Sequence, residues 1–392
     1  MHPEELAIDT LTVCFGAEAA QKATPLVSPL VSTSLFEFEN TEELIRYHQD
    51  GKGYLYLRYG GPNQDAVAAK IAALEGAEAG ATAASGMAAI SGLLISLLKP
   101  GDHLVAAHQL YMGTHFFMSR LAPKRGVEVT RVQADDIGAV REALKPSTRV
   151  LLWESPTNPG LHIADLAALA ELAHSVGALL VVDNTFATPV NQRPLALGAD
   201  LVVHSATKYL GGHSALLGGV VVGKESLVGA FDEQNRILGA TLGSFEAWLL
   251  EMGMKTLSVR MQRHNENAQR LAEWLRGHPK VEFVRYPGLR DDPGHEIAAK
   301  QMSGFSGMIC FGVKGGPEAA SRVVDAVQII RRGVSLGAVE SLINQPAVAL
   351  GFSLEETERQ LLGIAPNMLR FSVGIESADD LLRDLDQALA QA

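Results

Sequence analysis

Cysteine is nearly absent: Cys14 and Cys310 are the only two in 392 residues. They stand far apart, with no CxxC pair and no Cys/His cluster, so neither a disulfide framework nor a zinc site is indicated. That usage suits a reducing cytoplasm. Basic charge is also in deficit, with 33 Lys and Arg against 44 Asp and Glu and a net charge of −11. A surface that tracks nucleic-acid phosphates is therefore not expected. Long apolar runs are scarce. The charge-free stretch Ala79–Leu98 has the length of a membrane span, but Gly, Ala, Ser and Thr fill more than half of it. It reads as a buried helix, and no membrane association is expected. The N-terminal MHPEELAIDT carries acids where a signal peptide carries a basic region, and no apolar core follows it. Hydrophobic content of 47% with 20% charge suits a globular chain, and the length allows two domains.

What the chain does contain is organised around Leu201–Gly212, LVVHSATKYLGG. An apolar run ending in Ser205, Thr207 and Lys208 has the form of a buried parallel strand that delivers polar groups to a crevice at its carboxyl end. A second such run, Ala178–Pro189, ends in Asp183, 25 positions before the lysine. If the two strands are near neighbours, amine and carboxylate face one crevice. Pyridoxal phosphate chemistry needs this pair: a lysine that forms a Schiff base and an acid that keeps the pyridinium nitrogen protonated. The hydroxyls of Ser205 and Thr207 suit phosphate oxygens. Taken singly, each residue also fits a blander role, a solvated lysine after a strand or an aspartate opening a turn.

Four ordered motifs carry a resemblance: ESPTNP (Glu154–Pro159), VVDNTFATP, HSATKYLGGHS and RFSVGIE (Arg370–Glu376). Together they resemble the cysteine and methionine metabolism family of pyridoxal phosphate enzymes, the cystathionine γ-synthase-like group, from about residue 8 to the C-terminus. The resemblance implies the pyridoxal phosphate transferase type I fold. That is an α/β architecture with a mostly parallel, doubly wound large domain and a smaller α+β C-terminal domain. Alternating helices and strands through Asp183 and Lys208 agree with a doubly wound sheet. The expected division is an N-terminal arm and helix over 1–52, a cofactor-binding domain over 53–245 and a C-terminal domain over 246–392. A long helical pattern at Ser244–Pro279, broken near Gly253, bridges the last two.

The resemblance also assigns residues. Tyr56 and Arg58 lie two apart in GYLYLRYGGPN, so an extended segment would point both one way; in the family such a pair reaches into a neighbouring subunit to hold the cofactor phosphate. Gly86 and Met87, at the start of an apolar helix, would offer backbone amides to that phosphate, although helix capping alone would also explain Ser85 before them. Tyr111 is expected over the cofactor ring, with its hydroxyl in proton transfer. Asn158 is expected between the cofactor's phenolic oxygen and the substrate carboxylate, Ser335 in the neighbouring wall, and Arg370 as a clamp on the α-carboxylate. An arginine within an apolar strand needs an anion in any case.

Departures from the family pattern are Leu57, Gly61 and Asn63 after the Tyr-x-Arg pair, Met112 and Gly113 after Tyr111, Ala215 where an aspartate usually follows GHS, and Val334 where many cystathionine-processing enzymes have glutamate. The expected activity is γ-elimination or γ-replacement on sulfur amino acids or O-acylhomoserine, with Lys208 moving protons at Cα and Cβ. A cystathionine β-lyase, an aminotransferase, and a catalytically silent pyridoxal phosphate-binding scaffold remain as alternatives. The expected partners are small amino acids and further copies of the chain, as a homotetramer of paired sites.

Overall fold

The computed structural model describes residues 6–14, 25–350 and 354–392. Parts of the expected N-terminal arm, 1–5 and 15–24, lie outside the described residues. The arm's described helices are α1 (Ile8–Cys14) and α2 (Thr41–Asp50). Next come α3 (Pro62–Glu75), β1 (Ala79–Ala83), α4 (Gly86–Leu97), β2 (His103–Ala107), α5 (Met112–Phe116) and β3 (Glu128–Val132). Then follow β4 (Thr148–Glu154), β5 (Leu179–Asp183), β6 (Leu201–Ser205) and β7 (Gly219–Gly223). These seven strands form one sheet in the order β1-β7-β6-β5-β4-β2-β3, in which β7 alone runs antiparallel to its neighbours.

Both faces of this sheet are buried. On β6, Leu201 and Val203 pack into one core with Leu93 and Leu94 of α4, while Val202 packs into another with Val67 and Ile71 of α3. Strands covered on both sides are apolar at nearly every position, which is why the runs ending in Asp183 and Lys208 lack strict alternation; the exception in β6, buried His204, is bonded to buried Glu75. Each such fully buried side chain contributes about 1.5–3 kcal/mol relative to exposure.

A second sheet contains β8 (Val281–Arg285), β9 (Met308–Val313), β10 (Arg331–Arg332), β11 (Leu342–Asn344) and β12 (Met368–Ser372), in the order β10-β11-β12-β9-β8. It is antiparallel apart from the β10–β11 pair. The expected α/β class, with a mostly parallel large sheet and a smaller second one, is what the chain adopts. The long helical pattern divides into Ser244–Met254 and Leu257–Gly277. At the junction Gly253 abuts the Lys208 loop: a β-carbon there would meet the Gly211 carbonyl oxygen at 2.3 Å.

Two expectations need correction. Ala79–Leu98 is not one helix; the turn at Ala84–Ser85 splits it into β1 and α4, because Ser85 caps α4 by accepting the Ala88 N–H at 3.1 Å. Tyr56 and Arg58 do not share an extended segment. Tyr56 is extended, but Leu57–Tyr59 closes a 3-10 turn through Tyr59 N–H to Tyr56 O at 2.8 Å and Gly60 N–H to Leu57 O at 3.1 Å. Among the described residues no helix is long and apolar enough to cross a membrane.

Candidate active site

Three neighbouring parallel strands end together. Glu154 on β4 is the register partner of Asp183 on β5, which in turn pairs with Val203 on β6. The chain leaves β6 at Ser205 and turns at once, with the Lys208 N–H bonded to the Ser205 carbonyl. Buried Arg260 holds that turn by donating to the carbonyls of Tyr209 at 2.7 Å and Gly253 at 2.8 Å. Its approach leaves no room for a side chain at Gly212, where φ is +72° and a β-carbon would lie 2.3 Å from the guanidinium.

A cavity of about 200 Å³ opens at these strand ends. It is lined by Gly86, Met87, Tyr111, Asn158, Asp183, Ser205, Thr207, Lys208 and Arg370, and also by Ser85, Glu154 and Thr185. Ser335 joins them by accepting a hydrogen bond from Lys208 Nζ at 2.9 Å. The loop carrying Ser335 packs tightly on the lysine turn, since a β-carbon at Gly337 would meet the Tyr209 amide nitrogen at 2.6 Å.

Burial, and next the nearby positive charge of Arg370, brings the Lys208 amine down from 10.5 to about 8. Asp183 is 7% exposed. Burial raises its pKa, against the pull of the Thr185 hydroxyl and amide, which both donate to Oδ1, at 2.5 and 3.0 Å. Thr185 Oγ1 in turn accepts the Ser205 N–H at 2.8 Å, tying β5 to β6. Arg370 reaches in from β12 of the other sheet. It donates to Asn158 Oδ1 at 2.9 Å and to the Val334 carbonyl at 2.6 Å, while its Nε is buried with no partner among the described residues. These acceptors are neutral, so among the described residues no direct ion pair compensates the guanidinium where it faces the cavity, although the carboxyl of Glu154 acts on it from farther off. At the opposite wall a β-carbon on Gly86 would lie 2.7 Å from Ser205 Oγ, so only glycine lets the amino end of α4 approach the end of β6.

Tyr56 and Arg58 are not in this cavity. Arg58 donates to the Arg236 carbonyl at 3.1 Å and stacks on Tyr59 with its Cζ 4.5 Å from the ring centre, and Tyr56 is 41% exposed. Asn63 is buried for a local reason: its side chain accepts the Val31 N–H at 2.9 Å and donates to Pro29 O at 3.0 Å, fastening the arm. Ala215 is exposed and lines the adjoining cavity rather than that of Lys208.

The sequence pattern left out Glu154, Thr185 and Arg260. Glu154 was visible as the end of an apolar run, the same signal that marked Asp183. Thr185 was within reach as the residue two after Asp183, where its amide and hydroxyl close a local turn on the carboxylate, whereas Arg260 meets the Tyr209 carbonyl 51 positions away, a contact only the folded chain makes. Pyridoxal phosphate fits the donor set: a primary amine of lowered pKa, a buried acid whose partners are neutral donors, and free amides at a helix start beside two hydroxyls.

Comparison with known proteins agrees with that chemistry. Residues 9–390 match the family described as Cys/Met metabolism PLP-dependent enzyme. The chain is 43% identical over 383 residues to an L-methionine γ-lyase of Pseudomonas putida, covering 97% of this chain and 96% of that one. It is also 43% identical over 366 residues to the chloroplastic cystathionine γ-synthase 1 of Nicotiana tabacum, covering 93% of this chain and 68% of that one. The crystal structure of cystathionine γ-lyase from Lactobacillus plantarum complexed with L-serine superposes with a TM-score of 0.92 at 38% identity, covering 98% and 99% of the two chains. On this combination of motifs, fold and near-complete alignment, the chain belongs to the pyridoxal 5'-phosphate-dependent enzymes of cysteine and methionine metabolism.

Proposed function

We propose that the protein catalyses γ-elimination or γ-replacement on a γ-substituted α-amino acid, a sulfur amino acid or an O-acylhomoserine. The observation that carries this reading is Arg370, buried at 8% exposure with neutral partners and an unpartnered Nε, facing the Lys208 amine across one cavity. Such a pair suits a substrate with a carboxylate at one end and an acidic C–H beside it. Relatives named for γ-lyase and γ-synthase activities support the same class.

Bound pyridoxal phosphate supplies the electron sink that lets protons leave Cα and Cβ. Asp183, dried by burial and oriented by Thr185, would hold the ring nitrogen in its protonated state. The amides of Gly86 and Met87 with the hydroxyls of Ser205 and Thr207 would hold the phosphate, at the positive end of α4. Arg370 and Asn158 bind the α-carboxylate as a pair already hydrogen-bonded to each other. Lys208, poised near 8, would take up the protons that leave Cα and Cβ and give them back as the product forms, and Ser335 Oγ holds its Nζ before substrate enters. Tyr111, which lines the cavity and is partly exposed, would cover the ring and share in the proton transfer.

The reaction class is tested by a product assay on holoenzyme offered methionine, homocysteine, cysteine, cystathionine, and O-acylhomoserine with sulfide. Ammonia with 2-oxobutanoate is expected for elimination, and homocysteine from the acyl ester for replacement. Pyruvate from cystathionine without 2-oxobutanoate would overturn the γ reading in favour of β-elimination, and no product from any substrate would overturn both.

The placement of Tyr56 and Arg58 outside the cavity of their own chain supports a shared site, in which a second copy supplies both to the phosphate within a homotetramer. Activity per mole should then fall as the protein is diluted to monomer, followed by light scattering. Full activity in a monodisperse monomer would contradict it.

A further inference from the structure

Glu154 is a buried carboxyl for which the proposed reaction has no use. It is 3% exposed at the end of β4, beside Asp183, and no ion pair reaches it among the described residues. Its Oε2 accepts the backbone N–H of Tyr111 at 3.0 Å, and the backbone N–H of Asn158 and the charge of Arg370 also act on the carboxyl. The Tyr111 amide belongs to the residue preceding α5, which continues directly into a helical turn over Phe117–Leu121; the Tyr111 carbonyl accepts the His115 N–H at 3.0 Å, while its N–H, at the open amino end of the helix, is left for Glu154. Burial, and next the charge of Asp183, raises the pKa of Glu154, so replacing it with a neutral acceptor is a mild change.

The phenol end of Tyr111 is constrained separately. A β-carbon at Gly113 would lie 2.7 Å from Tyr111 Cε1 and 2.6 Å from Met87 Sδ. The ring is therefore folded back against its own helix, in space that any side chain at 113 would contest. No turn or positive φ calls for glycine there, whereas the ring does.

We propose that Glu154 is a positioning residue for Tyr111: its carboxyl pins the backbone at the entry to α5 while bare Gly113 admits the ring, and together they set the phenol over the cavity. The inference rests on the reading above, in which Tyr111 covers the cofactor ring.

The test uses holoenzyme and follows four readouts: the visible circular dichroism of bound pyridoxal phosphate, its dissociation constant, kcat with KM, and melting temperature. Glu154→Ala should lower kcat by about 100-fold, the usual consequence of a misplaced reacting group, and should alter the dichroic band. Glu154→Gln retains an oxygen acceptor for the same N–H and should recover at least about tenfold of the lost kcat together with the band. Gly113→Ala should reproduce the dichroic change of Glu154→Ala. In a Tyr111→Ala background, Glu154→Ala should add less than about twofold, because both remove the same placement.

A band unchanged in Glu154→Ala, a glutamine variant as impaired as the alanine one, or effects that multiply with Tyr111→Ala would each overturn the proposal. If Glu154→Ala fails to fold, the glutamine and Gly113→Ala variants decide it. Dichroism and dissociation constant need no turnover, so an inactive wild type with a normal band counts against the γ reaction alone, whereas a wild type that binds no cofactor counts against both.

Discussion

Lys208→Ala should lower turnover by at least about 10³-fold while leaving the melting temperature close to that of the wild type. Truncation removes the amine and its bond to Ser335 Oγ, and the lysine turn keeps its shape because Arg260 holds it through carbonyls rather than through the side chain. Lys208→Arg should be as inactive: guanidinium stays protonated at any working pH and cannot pass a proton on. The lowered pKa gives a second measurement on the same residue. Only the neutral amine adds to an aldehyde, so uptake of pyridoxal phosphate by the apo-protein should quicken as pH rises through about 8 and level off above it. A rate still climbing at about pH 10, where an ordinary lysine titrates, would show that burial and Arg370 do not act on this amine. Turnover retained by the alanine variant would remove Lys208 from the chemistry altogether.

Arg370→Ala should lower kcat/KM by roughly 30- to 5000-fold, from the 2–5 kcal/mol that removal of one buried charged partner costs at about 1.4 kcal/mol per decade. Most of the change should appear in KM for the amino acid, because the group lost is a binding group. Arg370→Lys should rescue little. An ammonium cannot span Asn158 Oδ1, the Val334 carbonyl and a substrate carboxylate at once from the position of β12. The decisive comparison is a substrate amide, which lacks the carboxylate charge: wild type should reject it, and the alanine variant should barely distinguish it from the acid. Equal discrimination in both proteins would mean that the carboxylate is held elsewhere.

The sequence disclosed most of this site because both central residues end apolar runs. A strand buried on both faces has few polar positions to spare, so Asp183 after Val182 and the cluster Ser205, Thr207 and Lys208 mark the strand ends and hence the crevice, whereas His204 inside β6 is a buried partner of Glu75. Glu154 ends its own run in the same manner but lies next to a proline-framed turn, which drew the reading toward Asn158. The Tyr56–Arg58 pair was misjudged because alternation assumes extension, and two i to i+3 bonds ahead of Gly60 and Gly61 close the segment instead. Ala79–Leu98 was misjudged because Ala and Gly fit a strand between β7 and α3 as readily as a helix; its cap at Ser85 was the only local mark of the division. The two short strands β10 and β11 had no periodicity long enough to register. Nor did sequence explain Asn63, whose amide fastens the arm at Pro29 and Val31.

The bond between Arg370 and Asn158 joins residues 212 positions apart, and that between Lys208 and Ser335 spans 127. Asp183, Thr185 and Lys208 are all in place on β5, β6 and the turn that follows well before β12 is synthesised. Translation therefore produces the two halves of the site in a fixed order: the amine and its acid come first, and Arg370, the proposed carboxylate clamp, arrives with β12. A chain halted before β12 would carry Lys208 and Asp183 without the proposed carboxylate clamp, and its lysine would also lack the Arg370 charge that helps to lower the amine's pKa.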